Sequence, residues 1–497
     1  MWDARKLADF VAQRLGGQRF LMVTNREPYV HRRKKDALVC EKPAGGVTSA
    51  LDPVMQVLGG TWIAWGSGDA DREAVDAHSR IRVPQETPRY TLRRIWLSKE
   101  EVDGFYNGYA NRCLWPLCHT LVEGLQFRRR YWEAYKIVNA RYARAILEEA
   151  GDASAVVWMH DYHLSLVPRM VREATSVPLT LTFFWHIPWP AYDIFRICPQ
   201  RREILEGLLA NDLLGFQLPG YAHHFLECLQ EELGAEASIE EDRVFYRDHT
   251  TRVRHYPISI DFEAFERWAT SPRADRRILA LLQDLRIQPG QRIGIGVDRL
   301  DYTKGILHRL QALDLFFARY PQYHQRFTFI QVAVPSRGLV PRYRELRRRV
   351  EAKVQEINAR YGKEGWQPIV YIPRNLSQEV LAAYYRTAHL AIVSSLYDGM
   401  NLVAKEFIAS QVEGKGMLLL SEFAGAYEEI KGVIHINPYD TENFAEAIRE
   451  ALEMDPGEKL VRLGEMRAYL REHNIYAWMA DIFRDMAALA RGSASHA

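Results

Sequence analysis

The chain has 497 residues, of which 47% are hydrophobic and 26% are charged, close to the globular average. Its 65 Lys and Arg residues and 63 Asp and Glu residues leave a formal net charge of +2, which argues against nucleic acid or an anionic membrane as a bulk electrostatic partner. This length exceeds what one hydrophobic core supports and predicts two domains of roughly 200 to 250 residues each.

The N-terminal segment, residues 1–17, mixes charged and apolar residues at helical spacing and lacks the uninterrupted apolar core of a signal peptide. No later segment reaches the ~18 uncharged apolar residues that span a bilayer. The five cysteines are odd in number and lack C-x-x-C spacing, which favours a reducing compartment. We therefore expect a soluble, cytoplasmic protein.

Short apolar runs rich in β-branched and aromatic residues predict strands in the first half of the chain, with helical patterns such as 131–150 between them. This alternation is typical of parallel strands joined by helical crossovers. A further strand-like run at 253–258 precedes a domain boundary that we place near residues 259–262. The other predicted strands of this half are 20–23, 62–65, 156–159, 179–185 and 213–216.

The same alternation restarts after the boundary, with helices such as 343–361. We therefore expect an α/β protein whose two Rossmann-like domains, 1–260 and 261–475, face each other across a cleft, with ligands beyond the carboxyl ends of the strands. A C-terminal amphipathic helix, 476–490, is expected to pack back on the first domain and to be followed by a frayed tail. The predicted strands of this half are 292–297, 327–332, 369–372, 390–393, 417–420 and 433–436.

Two motifs near the N-terminus suggest a phosphate site. VTNREPY at 23–29 ends the first predicted strand, and EKPAGGVTSAL at 41–51 places Gly45 and Gly46 before a helix, where the backbone could approach a phosphate closely. Taken alone, such a glycine pair is more simply explained by an ordinary loop.

Polar side chains also follow two predicted central strands, with Asp161 in WMHDYHL and His186 in FFWHIPWP. His160, Asp161 and His163 could be mistaken for metal ligands. However, alternate residues of one loop rarely provide the tetrahedral geometry that zinc requires, so we expect no metal site.

The most informative segment is VDRLDYTKG at 297–305, which begins at the end of a predicted strand and places Arg299 and Lys304 in the following loop. Fixed cations in a desolvated cleft can stabilise the charge that develops on a leaving diphosphate without a metal. The competing interpretation is that they pair with Asp298 and Asp301 on a solvated loop.

A second such loop, SSLYDGMNLVAKEF at 394–407, leads from a strand into a helix. Backbone N–H groups of Met400, Asn401 and Leu402 at the helix start could bind a sugar phosphate, and Glu406, about two turns along, could accept ribose hydroxyls. Alternatively, Asp398 only caps the helix and Glu406 is a solvated helix residue.

Eight motifs, given below in chain order, occur in the same order and at approximately the same spacing in a known family. In these motifs the chain resembles the trehalose-6-phosphate synthases, retaining glycosyltransferases of the two-domain GT-B fold. The resemblance extends from about residue 23 to residue 440 and implies transfer of glucose from UDP-glucose, or a related nucleotide donor, to glucose 6-phosphate. The family uses no metal or other cofactor, and the donor phosphate is thought to accept the acceptor proton on the leaving-group side. The matching motifs are NR, AGGV, YNGYANRCLWP, HDYHL, HIPWP, DRLDYTKG, PSRG and DGMNLVAKE.

The resemblance also implies roles for individual residues. Arg299 and Lys304 match the diphosphate cations, Glu406 the ribose carboxylate, and Asp161 and His186 the groups that contact the two sugars during transfer. Gly46 matches the glycine beside the donor phosphate. The donor-sugar loop is matched by Asp398, Gly399, Met400, Asn401, Leu402 and Val403, and the surroundings of the acceptor phosphate by Arg26, Tyr106, Trp115 and Arg337, with Trp65 as a further match.

Two features depart from the family pattern. Tyr397 stands where an Arg is usual, and the segment 29–43 is long and basic, with HRRKK at 31–35. NREPY resembles the corresponding stretch of glucosylglycerol-phosphate synthases, which use glycerol 3-phosphate as acceptor. We favour glucose 6-phosphate because PSRG is intact, and its Arg337 can bind a phosphate in bidentate fashion. Since Arg26 and Arg337 belong to different predicted domains, domain closure would complete the phosphate site.

Two functions of other classes remain as alternatives. One is a catalytically silent subunit that binds sugar phosphates, against which the complete donor set speaks. The other is nucleic-acid binding through HRRKK and the LRRRV stretch at 346–350, which the near-neutral total charge disfavours. A homo-oligomer, and a separate phosphatase that acts next on the product, are compatible with the sequence.

Overall fold

The computed structural model describes residues 1–15, 18–35, 37–43, 46–238, 242–288, 290–338 and 340–494. The chain divides into two compact units. The first unit consists of Trp2–Ile258 together with Tyr476–Ala497, and the second of Ser259–Ile475.

The secondary structure alternates between strands and helices in both units. The strands are β1 (Arg19–Arg26), β2 (Val30–Lys34), β3 (Ala37–Glu41), β4 (Thr61–Trp65), β5 (Arg80–Val83), β6 (Tyr90–Ile95), β7 (Ala155–His160), β8 (Leu179–Phe184), β9 (Leu213–Phe216), β10 (Glu236–Ser238), β11 (Arg243–Tyr246), β12 (His249–His255), β13 (Arg292–Arg299), β14 (Phe327–Val334), β15 (Ile369–Ile372), β16 (Leu390–Val393), β17 (Met417–Ser421) and β18 (Ile434–Ile436).

The helices follow the same rhythm. They are α1 (Ala4–Leu15), α2 (Gly46–Leu58), α3 (Lys99–Glu101), α4 (Trp115–Cys118), α5 (Arg129–Ala150), α6 (Val167–Ala174), α7 (Tyr192–Phe195), α8 (Arg201–Leu208), α9 (Pro219–Leu233), α10 (Phe262–Thr270), α11 (Pro272–Asp284), α12 (Ile306–Arg319), α13 (Pro341–Tyr361), α14 (Gln378–Thr387), α15 (Leu402–Ser410), α16 (Ala426–Glu429), α17 (Thr441–Glu453), α18 (Pro456–Glu472) and α19 (Ile475–Ala494), with a π-helix at Val102–Leu114 and 3-10 helices at Asp71–Glu73, Tyr302–Lys304 and Pro321–Tyr323.

The first unit contains a ten-stranded sheet in the order β10-β11-β12-β9-β8-β7-β1-β4-β6-β5. From β12 to β6 all neighbours pair in parallel, while β10, β11 and β5 add antiparallel edges. Strands β7 and β8 are buried along their whole length, which explains why their sequences are continuously apolar rather than alternating. The strand order reverses between β1 and β7, where sheets of this kind bind ligands, and Arg26 and Asp161 lie at this reversal.

Most predicted strands of this half are confirmed, but the one at 253–258 is displaced. The observed β12 begins at His249 and ends at His255, since it forms a hairpin with β11 as well as pairing with β9. The sequence does not predict several short or polar strands that lie at the sheet edges, next to them or in the separate hairpin, namely β2, β3, β5, β6, β10 and β11.

The basic segment 29–43 forms a hairpin of β2 and β3. Its basic side chains make surface ion pairs, with Arg32 and Lys34 on Glu41 and Arg33 on Glu73. His31 is the exception, because its side chain is fully buried beside Asp71.

The C-terminal helix α19 belongs to the first unit. Trp478 donates its indole N–H to the Tyr256 carbonyl at 2.9 Å, and the Tyr256 hydroxyl donates to Asp485 at 2.5 Å. The helix continues to Ala494, four residues beyond its predicted end and into the segment expected to be frayed. Residues 495–497 of that predicted tail lie outside the described residues.

The second unit contains a six-stranded, entirely parallel sheet in the order β15-β14-β13-β16-β17-β18. The predicted α/β class with two doubly wound sheets is therefore confirmed. The strand order reverses between β13 and β16, and ligands of such sheets bind beyond the strand ends at this point. The VDRLDYTKG loop follows β13 and the SSLYDGMNLVAKEF loop follows β16, so both motifs meet at the reversal.

A buried guanidinium joins three neighbouring strands beneath these loops. Arg309, on α12, is fully buried and donates to Asp298 at 2.6 Å, to Gln331 at 2.9 Å and to Ser394 at 3.1 Å. These three partners lie on or directly after β13, β14 and β16. Arg309 therefore holds the strands in place where the loops after β13 and β16 begin.

The two loops touch at Gly305. Its φ of +62° is unfavourable for residues with a side chain, and a Cβ atom there would collide with the Ser394 carbonyl. Only glycine allows this approach of α12 to the end of β16.

We expect Gly305→Ala to lower the free energy of unfolding by about 2 kcal/mol or more, because it adds both backbone strain and a steric clash. Urea-induced unfolding followed by circular dichroism measures this. Gly464→Ala is the matched control, since Gly464 lies within α18 with open space around its Cα, and there alanine should stabilise by up to about 1 kcal/mol. Equal effects of the two substitutions would contradict the explanation.

Candidate functional site

The loop after β13 is organised around a buried carboxylate, that of Asp301. Asp301 begins the 3-10 helix Tyr302–Lys304 and accepts hydrogen bonds from the Thr303 amide at 3.1 Å and the Thr303 hydroxyl at 3.2 Å. The Tyr343 hydroxyl donates to it at 3.0 Å and Arg337 at 3.2 Å. The carboxylate is thus buried but well satisfied.

Three cations act on this carboxylate. Desolvation would raise the pKa of Asp301, but Arg337, Arg299, the hydrogen bond from the Thr303 amide and Lys304 together lower it below its ordinary value. The side chain of Arg337 is almost completely buried and also contacts the Tyr343 hydroxyl. We refer to Arg299, Lys304 and Arg337 as the cation cluster. The sequence assigns Arg337 to a different subsite from the other two, yet Arg337 bonds to the same carboxylate on which Arg299 and Lys304 act electrostatically.

Lys304 also connects the two strand-end loops. Its ammonium group forms an ion pair with Asp398, whose Oδ2 accepts hydrogen bonds from Ser395 at 3.0 Å and Asn401 at 3.1 Å. Of the two carboxylates in the competing interpretation, Asp298 binds the buried Arg309, whereas Asp301 does interact with the cations. Both carboxylates are buried, so the description of a solvated loop is wrong.

The suggestion that Asp398 caps the following helix is also wrong. Asn401 is the N-cap residue, with a φ of +82° and a side-chain oxygen that accepts the Ala404 N–H at 3.4 Å. Helix α15 begins at Leu402, so Met400 precedes it rather than forming its first turn. Asp398 is therefore available to bind Lys304 because Asn401 fulfils the capping requirement.

The rest of the donor loop is packed against α16. Amides at the start of that helix donate to this loop, Gly425 to the Asp398 carbonyl at 3.2 Å and Ala426 to the Met400 carbonyl at 2.9 Å. Gly399 and Met400 are buried, whereas Leu402 and Val403 are half-buried in the first turn of α15.

Glu406 is buried, so the alternative that it is a solvated helix residue is wrong. It is the fifth residue of α15, about one turn along rather than two, and it accepts a hydrogen bond from the Tyr385 hydroxyl at 3.2 Å. Burial raises the pKa of Glu406 to about 7. An incoming pair of hydroxyl donors would supply the stabilisation that this carboxylate lacks in the protein alone.

In the first unit, Arg26 lies over an aromatic cluster. It contacts the Tyr106 hydroxyl, and its guanidinium carbon lies 5.3 Å from the centre of that ring. Tyr106 stacks on His163, with ring centres 5.8 Å apart, and lies 5.7 Å from Trp65. Arg26 is exposed at the end of β1, while Tyr106 is buried and comes from the π-helix.

Trp115 belongs to the same chain of rings. Its ring contacts His119 at 4.1 Å and Tyr162 at 5.8 Å, and Tyr162 in turn contacts His163 at 4.0 Å between ring centres. Tyr162 and His163 thus link the separate predictions for Trp115 and Tyr106. Sequence reasoning treated His163 only as part of a mistaken metal cluster, and aromatic residues flanking Asp161 were the signal that it overlooked.

Asp161 occupies a strained position directly after β7. Its φ is +75°, unusual for a residue other than glycine, and its amide donates to the Phe184 carbonyl at 2.8 Å. Its own carboxylate accepts the Tyr162 N–H at 3.0 Å. Such strain is concentrated at functional sites, where it directs a side chain away from the strand.

His186 has both ring nitrogens bonded inside the protein. The Ile258 N–H fixes Oε1 of Gln217 as an acceptor at 2.9 Å, so the Gln217 amide group donates to Nδ1 of His186 at 3.3 Å. Nε2 of His186 then donates to Nδ1 of His160 at 2.9 Å, and Nε2 of His160 faces the Met22 sulfur. Burial lowers the pKa of His186 to about 3. This arrangement suits a neutral orienting group rather than a base that titrates near neutral pH.

The unusual NREPY segment has its distinctive side chains inside the protein. Glu27 is buried against Arg94 at 2.7 Å and accepts the Ser67 N–H at 2.7 Å, and burial raises its pKa to about 8 despite the arginine. Tyr29 donates to the buried carboxylate of Asp52 at 3.0 Å. Within NREPY, Arg26 is the side chain exposed at the strand end.

The glycine loop before α2 lies partly within the described residues. Gly46 is exposed and is the first residue of α2, whereas the predicted phosphate contact of Gly45 lies outside the described residues. Lys42, which precedes the loop, binds Asp52 of α2 at 2.7 Å. The described residues contain no group of three or more His, Cys, Asp or Glu side chains placed to hold a metal ion, and no helix among them is long and apolar enough to cross a bilayer.

Cations at the reversal of strand order, with a buried carboxylate on the following helix, are features of doubly wound α/β proteins whose ligand edge suits phosphorylated compounds. Residues 18–488 match glycosyltransferase family 20. The chain belongs to this family, which confirms the resemblance drawn from its motifs.

Individual relatives are similar to this chain over most of its length, in sequence or in structure. A bifunctional trehalose-6-phosphate synthase/phosphatase from Thermoproteus tenax is 37% identical over 477 residues, which cover 93% of this chain and 62% of that protein. An alpha,alpha-trehalose-phosphate synthase (UDP-forming) from Burkholderia xenovorans, solved with glucose-6-phosphate, has a TM-score of 0.84 at 31% identity, covering 94% of this chain and 99% of that chain. The E. coli trehalose-6-phosphate protein bound with UDP-2-fluoro glucose has the same TM-score and identity, covering 95% of this chain and 99% of that chain.

Glu406 generates a pH-dependent prediction. Because burial raises its pKa from 4.5 to about 7, wild-type stability should fall as the pH rises through this interval. We expect Glu406→Gln to match the wild type at the acid end and to have a free energy of unfolding about 3 kcal/mol higher above pH 7, where the wild type must bury an ionised carboxylate.

Urea-induced unfolding at a series of pH values measures the difference. Glu364→Gln is the matched control, because Glu364 is exposed and its substitution should change stability equally little at each pH. A stability difference for Glu406→Gln that is independent of pH would contradict the interpretation.

Proposed function

We propose that this protein is a retaining, metal-independent glycosyltransferase that moves glucose from a nucleoside-diphosphate glucose, with UDP-glucose preferred, to glucose 6-phosphate, forming α,α-trehalose 6-phosphate. The observation that carries the proposal is the cation cluster at the reversal of strand order in the second sheet. Arg337 is paired with the buried Asp301, Lys304 is paired with Asp398, and Arg299 and Lys304 act electrostatically on Asp301. Cations held in this way provide a preorganised site for phosphate oxygens.

The donor is assigned to the second unit. Arg299 and Lys304 would neutralise the diphosphate as its bond to the sugar breaks, and the buried carboxylate of Glu406 would accept the ribose hydroxyls. Asp398 would meet the glucose hydroxyls, because its carboxylate lies beside Lys304 at the start of the donor loop. The UDP-2-fluoro glucose bound by the E. coli relative supports uridine as the base.

Retention of the configuration at the transferred glucose follows from assigning the diphosphate to Arg299 and Lys304. The donor phosphate, held by the cations, would accept the proton of the acceptor hydroxyl, which attacks from the side of the leaving group. The sugar–phosphate bond breaks as the new glycosidic bond forms, and the nucleoside diphosphate leaves with the proton. Asp161 and His186 would orient the sugars, a role consistent with the neutral, doubly bonded ring of His186.

Glucose 6-phosphate is favoured as acceptor for two reasons. Arg337 of PSRG is present in the cation cluster, and the glucose-6-phosphate complex of the Burkholderia xenovorans relative has that sugar phosphate bound. The NREPY motif, which resembles glucosylglycerol-phosphate synthases, is weaker evidence for glycerol 3-phosphate because two of its side chains are buried. Glu27 binds Arg94, and Tyr29 binds Asp52. Arg26, Tyr106 and Trp115 are the remaining proposed acceptor residues.

The decisive experiment measures release of nucleoside diphosphate over a matrix of donors (UDP-, GDP- and ADP-glucose) and acceptors (glucose 6-phosphate and glycerol 3-phosphate). We expect the highest rate for UDP-glucose with glucose 6-phosphate, and retention of configuration in the disaccharide by NMR. A higher rate with glycerol 3-phosphate would replace the proposed acceptor. No release from any pair, despite binding of a sugar phosphate, would favour a silent binding subunit.

Arg299→Ala and Lys304→Ala should each reduce kcat by a factor of about 10³ or more while the protein remains folded, because each removes charge stabilisation of the leaving group. Lys353→Ala is the matched control, since it likewise removes a lysine bound to an aspartate at 2.7 Å, but on α13. Its turnover should equal that of the wild type. Near-normal turnover of either site variant would remove the diphosphate assignment.

A further inference from the structure

The arrangement around Asp301 poses an electrostatic question that the roles proposed for its neighbours do not answer. A site that must bind two anionic substrates would gain affinity from cations alone, yet this one buries a carboxylate among them. Asp301 is fully buried and accepts hydrogen bonds from Thr303, Tyr343 and Arg337. Its carboxylate bonds to the proposed acceptor residue Arg337 and interacts electrostatically with the proposed donor residues Arg299 and Lys304.

Local structure explains only part of these contacts. As N-cap of a 3-10 helix, Asp301 needs to accept only the Thr303 N–H, and an asparagine or serine would serve as well. Neither the Arg337 guanidinium nor the Tyr343 hydroxyl is required for capping. The carboxylate therefore does more than begin the loop.

The charges of the cluster can be counted. Arg299, Lys304 and Arg337 carry three positive charges, and Asp301 and Asp398 carry two negative charges, which leaves an excess of one positive charge. A nucleoside diphosphate brings more negative charge than this excess. Without Asp301 the cations would repel one another and would hold the diphosphate more strongly.

We propose that Asp301 is a positioning residue that fixes Arg299, Lys304 and Arg337 relative to one another and reduces their combined charge, so that the nucleoside diphosphate is released after transfer. The inference rests on the proposed function, because that function assigns Arg299 and Lys304 to the donor and Arg337 to the acceptor. Asp301 then links the two substrate sites through one carboxylate, without touching either substrate.

This role has an unusual signature. A purely structural residue, when replaced, weakens ligand binding along with stability. Asp301→Asn keeps the size of the side chain and its ability to accept the Thr303 N–H, but removes the charge. We expect the variant to bind UDP about fivefold more tightly or better, and to turn over more slowly because release is slowed and the cations are less well fixed.

The test measures UDP affinity by calorimetry in the absence of acceptor, with kcat and KM for both substrates determined in parallel. For Asp301→Asn, the dissociation constant of UDP and kcat should both fall, while KM for the nucleotide sugar should not rise. Tyr343→Phe is the matched control, since it removes a hydroxyl from the same carboxylate without changing any charge. Its UDP affinity should stay within about twofold of the wild type.

A second variant keeps the test informative if Asp301→Asn does not fold. Arg337→Met removes one cation, so the charge of Asp301 acts on Arg299 and Lys304 alone, and UDP should bind about fivefold more weakly although Arg337 is assigned to the acceptor. The double variant Asp301→Asn/Arg337→Met removes one charge of each sign and should return UDP affinity towards that of the wild type.

Unchanged or weaker UDP binding by folded Asp301→Asn would overturn the inference, as would unchanged binding by Arg337→Met. These outcomes are distinguishable from a failure of the proposed function. If the wild-type protein binds none of UDP, GDP and ADP, the proposed function fails. If it binds UDP and the variants do not respond as described, only the role of Asp301 is rejected.

Discussion

The site in the second unit depends on the buried guanidinium of Arg309. By bonding to Asp298, Gln331 and Ser394, Arg309 joins three parallel strands on both sides of the reversal in strand order. A buried ion pair of this kind adds little net stability, but losing one partner leaves an uncompensated charge and costs about 3 to 5 kcal/mol. The loops after β13 and β16 both begin next to Arg309. The positions of their candidate site side chains therefore depend on the Arg309–Asp298 ion pair.

Two carboxylates in the same unit show how differently equal burial can act. Asp301 is surrounded by cations and its pKa is lowered, whereas Glu406 has a tyrosine hydroxyl as its partner and burial raises its pKa to about 7. The first carboxylate stays ionised throughout the physiological range, and the second is close to its midpoint. The same unit thus contains a permanent counterion and a group whose charge responds to what binds next to it.

Much of this architecture could be predicted from the sequence. The buried central strands are continuous apolar runs, so their positions and the α/β class followed from periodicity, and the motifs at their ends located Arg299, Lys304, Asp398 and Glu406. Edge strands such as β2 and β5 could not be found in this way, because their exposed faces carry charged residues and their pairing is set by partners distant in sequence.

Long-range pairings between side chains also could not be predicted from the sequence. The sequence named Asp301 only as a competing partner for neighbouring cations, and nothing in it indicated that Arg337, 36 residues later, would bind the same carboxylate. The capping role of Asn401 rather than Asp398 depends on a backbone angle, and the burial of Glu27 depends on Arg94. Local patterns therefore named the candidate residues, while the long-range partners that set their charge and orientation needed the three-dimensional structure.

The hairpin of β2 and β3 is anchored at its base, where Tyr29 and Lys42 bind the same Asp52 carboxylate from opposite ends of the segment. Its strands pair with each other and are not part of either large sheet. Insertions or deletions at its tip would therefore leave the register of the main sheet and the position of Arg26 unchanged. Evolution can vary the length of this segment among homologues independently of the chemistry, in the way that a peripheral appendage diverges while the scaffold that bears it is retained.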